Sequence, residues 1–244
     1  MIRTLVLVLF FVLAVILVLP WLVLWSVVAG NPDLMYRLAM KVVRVGNRLG
    51  GIRVRVAGLE NIPKSACIFA ANHVSNIDPL AFIPAIPRRV AILVKQELFR
   101  VPIFSTAMRR AQFIPVDRAD REAAASSIEA ALRSLKEGIS FAVFVEGTRS
   151  PDGRLRPFKK GAFVMAIEAG VPIVPVSIGG TQRLMRRGSW TLIPGETTVR
   201  FGPAVDASEY TMGRRAELLA RVEALVAAGL PPDQRSLAQG APAE

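Results

Sequence analysis

The chain has 244 residues and 26.5 kDa, is 52% hydrophobic, holds one histidine and one cysteine, and carries a formal net charge of +12 with pI about 11.1. A lone cysteine excludes an intrachain disulfide, and one histidine with one cysteine excludes a zinc site built on those ligands. The positive balance favours anionic partners; basic residues are spread along the chain with no helix-turn-helix, zinc-finger or RNA-binding signature, so an anionic membrane surface or a phosphorylated substrate is expected and nucleic acid is not.

The apolar excess is concentrated at the N-terminus, where no charged residue occurs from Thr4 to Pro32. Residues 5–28 as a helix reach about 36 Å, slightly more than a hydrocarbon core. Pro20 is expected to kink this helix, and Trp21 and Trp25 to sit at the membrane interface. A cleaved signal peptide ending at Val27-Val28-Ala29 is the rival reading, against which stands an apolar run longer than a signal core. Only Arg3 precedes the segment, whereas Arg37, Lys41, Arg44, Arg48, Arg53 and Arg55 follow it. The positive-inside tendency therefore places the rest of the chain on the cytoplasmic side of the inner (plasma) membrane. Two arrangements remain open: a helix that spans the bilayer, or a chain that bends back at Pro20 as a re-entrant or interfacial hairpin with residues 33–49 as its second arm. In that second arm Leu34, Leu38, Val42, Val45 and Leu49 fall at helical spacing beside a face of Arg37, Lys41, Arg44 and Arg48, an amphipathic basic helix suited to anionic headgroups.

Beyond Gly50-Gly51 the pattern becomes that of strands and helices in alternation. Strands are expected at 52–58, 66–72, 90–94, 112–116, 139–145, 171–178 and 197–202, and helices at 120–137, 159–169 and 214–228. This predicts an α/β domain over 51–229 with a mixed, largely parallel sheet flanked by helices, preceded by a membrane anchor over 1–50 and followed by a disordered tail over 230–244.

The chemistry gathers at strand ends, where ligands bind in α/β sheets. The run NHVSNID places His73 directly after a strand and Asp78 at the start of a helix. A carboxylate on one ring nitrogen would leave the other free to take a proton. By spacing alone a structural histidine is as good a reading as a general base. FIPVDR then places Arg118 after a strand, and FVEGTRS does the same for Glu146, Gly147, Thr148 and Arg149. Arginine pairs suit phosphate, because the guanidinium fork matches its oxygens. If the sheet is parallel there, these turns share one edge. Ser75 and Cys67 offer a nucleophilic alternative, but no G-x-S-x-G elbow is present and Cys67 sits inside an apolar strand.

Taken together, these blocks resemble the glycerolipid acyltransferases, the family that includes the lysophosphatidate acyltransferases. NHVSNID is similar to the family's N-H-x-x-x-x-D block, FIPVDR to its arginine block, FVEGTRS to its F-P-E-G-T-R-S block and VPIVPV (171–176) to its apolar fourth block. KQELFRVPIF (95–104) is similar to its Lys-x-x-Leu segment. Val145 departs from the family's proline and Ala111 from a frequent glycine; neither removes a reactive group. The resemblance implies acyl transfer from a thioester, acyl-CoA or acyl carrier protein, to the sn-2 hydroxyl of a 1-acylglycerol-3-phosphate, with no cofactor or metal. It implies His73 as base and Asp78 as its orienting acid. It also implies Arg118, Arg149 and Lys95 at the acceptor phosphate, and Glu146, Gly147 and Thr148 in substrate binding or loop ordering. The same chemistry on a lyso-ornithine lipid or glycerol 3-phosphate, and an inactive lipid-binding protein, are the alternatives.

Overall fold

The computed structural model describes residues 1–116 and 121–236. In chain order its elements are α1 (Ile2–Leu13), a π-turn (Ala14–Val18), α2 (Leu19–Val28), α3 (Pro32–Gly50), β1 (Ile52–Ala57), β2 (Ile68–Ala71), α4 (Asp78–Phe82), β3 (Val90–Lys95), α5 (Pro102–Arg110), β4 (Ile114–Val116), α6 (Arg121–Lys136), β5 (Ser140–Phe144), α7 (Gly161–Ala169), β6 (Ile173–Gly179), α8 (Thr181–Leu184), β7 (Gly195–Phe201) and α9 (Arg215–Gly229).

The N-terminal apolar run forms one continuous helix from Ile2 to Val28, the one helix among the described residues long and apolar enough to cross a membrane. Pro20 has no N–H and its ring crowds the carbonyl four residues back; the chain relieves this by widening into the π-turn just ahead of it, where the Leu19 N–H reaches the Ala14 carbonyl. Asn31 caps α3 by accepting from the Asp33 amide at 2.8 Å, Pro32 supplies its first turn, and Gly51 closes it in the left-handed conformation at φ 76°. α3 folds back antiparallel along the apolar helix, with Phe11 against Gly46 and Leu7 against Gly50. Both ends of the apolar helix touch the α/β domain: Thr4 Oγ1 accepts from the Leu192 amide, and the Ser26 hydroxyl accepts from Arg110 Nε. The helix Ile2–Val28 and α3 thus pack as a helical hairpin against the domain, and Pro20 does not turn the chain back. Leu19, Leu22 and Val23 pack against the domain's core, while many of the helix's other apolar side chains, among them Leu9, Ile16, Leu17 and Trp21, stay exposed.

The sheet has the order β1-β7-β6-β2-β5-β3-β4. β6, β2, β5, β3 and β4 run parallel; β7 is antiparallel to β6 and carries β1 with it. The expected mixed, largely parallel sheet is thus observed. Central β2 explains its continuous apolar run: Ile68 and Ala70 point into a core with Phe141, Phe163, Leu218 and Val222, while Phe69 and Ala71 point into the opposite core with Tyr36, Phe82 and Val176. α6, α7 and α9 cover the first face, and α3, α4 and α5 the second.

Residues 230–236, expected in a disordered tail, are instead packed on the domain. Leu230 and Gln234 are buried, and Gln234 accepts from the Leu155 amide through its carbonyl and from the Gly180 amide through Oε1. A buried glutamine that caps two main-chain donors has a reason to stay put that composition does not reveal.

Candidate active site

β2 ends at Ala71, and Asn72 secures the turn that follows. Its carboxamide copies a strand's hydrogen bonds, donating to the Ile178 carbonyl at 3.0 Å and accepting from the Ile178 amide at 2.7 Å. The next residue, His73, is thereby delivered to the C-terminal edge of the sheet. Its ring lies 4.0 Å from the ring of Phe144, at the end of β5, with planes 19° apart. Its side chain is 18% exposed.

His73 Nδ1 lies 2.8 Å from Asp78 Oδ2. Asp78 is fully buried, and the same oxygen accepts from the amides of Val74 and Ser75 at 2.7 and 2.8 Å. Its other oxygen accepts from the Thr181 hydroxyl, just past β6. With Nδ1 facing the Asp78 oxygen as its donor, the neutral imidazole carries its proton there and leaves the Nε2 lone pair free. Five residues apart in sequence, His73 and Asp78 meet because the turn between them wraps around the carboxylate.

The parallel strands set the neighbours. β5 is beside β2, so Glu146–Arg149 emerge next to the histidine turn. Glu146 is buried and joins three segments: Oε1 accepts from the His73 amide at 2.6 Å, and Oε2 from the Arg156 amide at 3.0 Å. Burial, aided by the nearby Asp78 charge, pushes its carboxyl up to about 7 despite those two donors. Gly147 turns the chain at φ 74°, and a Cβ there would meet the Lys159 side chain at 3.2 Å. Thr148 is exposed at the edge. Arg149 reaches back to the histidine turn, donating to Asn76 Oδ1 at 2.7 Å. Lys95, the exposed last residue of β3, stands at the same edge two strands from β2, about 10 Å across. Arg118 follows β4 and lies outside the described residues.

The nucleophilic alternative loses both of its residues. Ser75 is buried and its hydroxyl donates to the Met185 carbonyl at 2.7 Å. Cys67 is buried in the sheet, and burial pushes its thiol up to about 11, far from a reactive thiolate.

The family model described as Acyltransferase matches residues 53–179, just over half of the chain. The chain belongs to the acyltransferase family. This acyltransferase is 31% identical over 207 residues to the 1-acyl-sn-glycerol-3-phosphate acyltransferase of Limnanthes douglasii, covering 80% of this chain and 73% of the relative. It is 33% identical over 191 residues to the enzyme of that name from Pseudomonas aeruginosa, covering 78% of this chain and 72% of the relative. Among solved structures, the 1-acyl-sn-glycerophosphate (LPA) acyltransferase PlsC of Thermotoga maritima superposes with a TM-score of 0.78 at 31% identity, over 93% of this chain and 95% of that one.

Three residues around the His73–Asp78 pair have roles that no motif reveals. Thr181 lies beyond the matched segment, and its bond to Asp78 spans 103 residues of sequence. Asn72 stands in the first block, yet its partner Ile178 is 106 residues away. Phe144 opens the FVEGTRS block, yet nothing in that block announces that its ring stacks on His73. A small apolar cavity of about 350 Å³ lies under α3 and α5, bounded by Leu19, Leu22, Met40, Leu80, Phe104 and Met108. Leu80 is two residues from Asp78, so the cavity closes on the helix that begins at the site.

Proposed function

We propose that this protein is a 1-acylglycerol-3-phosphate acyltransferase, moving a fatty acyl group from a thioester to the sn-2 hydroxyl of lysophosphatidate and giving phosphatidate for phospholipid synthesis. The observation that carries the reading is the His73–Asp78 pair, with Nδ1 held at 2.8 Å and Nε2 turned away from the carboxylate at the sheet edge where Arg149 emerges. The relatives above bear the name of this reaction.

In this reading Nε2 of His73 takes the proton of the acceptor hydroxyl as its oxygen attacks the thioester carbonyl. Asp78 steadies the imidazolium. The C–O bond forms, the C–S bond breaks, and the proton passes from Nε2 to the departing thiolate of coenzyme A or acyl carrier protein. Electrons balance without an oxidant or reductant, so the transfer asks for no cofactor. Arg149, with Lys95 and Arg118 from the neighbouring strand ends, serves the acceptor phosphate. Glu146 serves as the staple of the loop, because both of its oxygens are occupied by main-chain donors. The apolar cavity suits an alkyl chain.

The exposed apolar helix supports membrane association, and the excess of arginine after it favours the cytoplasmic face of the inner membrane. With Thr4 and Ser26 both bonded to the domain, the helix beds in the leaflet facing the domain. The test is purified enzyme given lysophosphatidate and either acyl-CoA or acyl carrier protein thioester, with phosphatidate read by mass spectrometry. Acylation of another lysolipid with lysophosphatidate untouched overturns the acceptor assignment.

A further inference from the structure

A second basic surface lies apart from the histidine site. A groove of about 980 Å³ runs between the C-terminal half of α3, the edge strand β1 and the start of β7. Arg3, Arg44, Arg48 and Arg53 line it, all exposed. Arg44 and Arg48 are one helical turn apart and share a face. The acidic residue lining the groove, Glu196, is paired at 2.8 Å with Arg55. Among the described residues, Arg3, Arg44, Arg48 and Arg53 have no acidic partner within ion-pair distance. Guanidinium groups gathered without a counter-ion leave a positive potential that an outside anion can meet.

The neighbourhood of the groove indicates which anion. Arg3 opens the apolar helix, and its guanidinium lies over Gly51. Pro194, which also lines the groove, belongs to the loop between α8 and β7. That loop is pinned to the start of α1 by the Leu192 amide on Thr4 Oγ1 at 2.9 Å. From it project Trp190, 76% exposed, and Ile193, 53% exposed, beside the exposed Arg186 and Arg187. An indole, an aliphatic tip and arginine heads bordering an exposed apolar helix match a bilayer interface, where the ring sits at headgroup level and the cations among phosphates.

We propose that this groove is a second anion site, separate from the acyl-transfer site, which takes the phosphate headgroup of an anionic phospholipid, and that the Trp190–Ile193 loop seats it in the leaflet holding α1. The proposal rests on the membrane-bound reading above but not on acyl transfer, and its test reads the position of one side chain, so the two fail separately.

The chain has three tryptophans, and Trp21 and Trp25 are exposed, so Trp21→Phe with Trp25→Phe leaves Trp190 as sole reporter. This full-length reporter is reconstituted into vesicles of phosphatidylcholine, with or without phosphatidylglycerol. The expected result is blue-shifted Trp190 emission and quenching by brominated lipid in the anionic vesicles. Both should fall to the phosphatidylcholine level when Arg48→Glu and Arg53→Glu are added, with cosedimentation unchanged because the apolar helix still anchors the chain. Water-like emission in both vesicles overturns the proposal, as does an equal shift in both that the double reversal leaves intact. Adenosine 3′,5′-bisphosphate bound by the detergent-solubilised protein and lost on double reversal, without any lipid-charge effect on Trp190, reassigns the groove to a soluble phosphate.

Discussion

The Thr181 hydroxyl donates to the Asp78 carboxylate oxygen that does not face His73. Asp78 is therefore gripped from both sides, by the turn that carries the histidine and by the residue that follows β6. Thr181 is fully buried, so its loss leaves a carboxylate lone pair that water does not reach. A hydrogen bond to a charged group contributes roughly 1.5–3 kcal/mol. Thr181→Val should lower kcat by about tenfold or more, since ~1.4 kcal/mol in a barrier is tenfold in rate. KM for both substrates should hold, and Thr181→Ser should restore the rate. A positioning role predicts that split; a purely structural role would lower the melting temperature with kcat per folded molecule unchanged.

His73→Ala should reduce acyl transfer by about 10²–10⁴-fold, the usual share of a general base, and leave membrane association intact. Asp78→Asn should be nearly as damaging for a different reason. Its amide oxygen can still accept from the Val74 and Ser75 amides and from His73 Nδ1, but a neutral amide cannot steady the imidazolium formed during transfer. Turnover near wild type in His73→Ala, measured by phosphatidate formed, removes the histidine from the mechanism.

Arg149 is within reach of the histidine turn through Asn76. If it also receives the acceptor phosphate, Arg149→Ala should raise KM for lysophosphatidate by about 10- to 100-fold, the equivalent of one or two charge-assisted bonds, and change KM for the acyl donor little. Initial rates over both substrate concentrations decide this, and equal effects on the two constants count against a phosphate clamp. Asn76→Ala should produce a smaller change in the same direction, because the arginine keeps its charge and loses only its tether.

The strand ends and their order were readable from sequence because apolar runs such as Ala66–Ala71 and the polar turns after them repeat along the chain, and a parallel sheet then collects successive turns at one edge. His73, Asp78, Glu146 and Arg149 could be found this way. Thr181 and Asn72 as long-range partners could not: a polar side chain that satisfies a buried group over a hundred residues away leaves no periodic trace. Gln234 leaves no trace for the same reason: its Pro-rich surroundings resemble a tail while its amide oxygen binds the Gly180 amide beside Thr181. The packing of the apolar helix on α3 and the domain was undecidable from hydropathy because it rests on specific contacts, Phe11 on Gly46, Leu7 on Gly50 and the bonds of Thr4 and Ser26 to the domain.

Glu146 gives the fold a pH dependence that can be isolated. Its carboxyl, ordinarily near 4.5, is raised to about 7 by burial. The folded state therefore holds this proton more tightly than the unfolded chain. The resulting contribution is complete below the unfolded value, is lost as pH climbs from about 4.5 to about 7, and is level above that. The change over the window is on the order of 3 kcal/mol. Glu146→Gln cannot ionise and should flatten this part of the curve. Its amide also confronts the Arg156 N–H with a second donor, so the variant should be less stable than wild type at low pH, with the gap narrowing as pH rises. Denaturant unfolding in detergent across that range, for wild type and variant, measures the difference directly. Parallel curves would show that Glu146 enters the fold already ionised and that its two main-chain donors outweigh its burial.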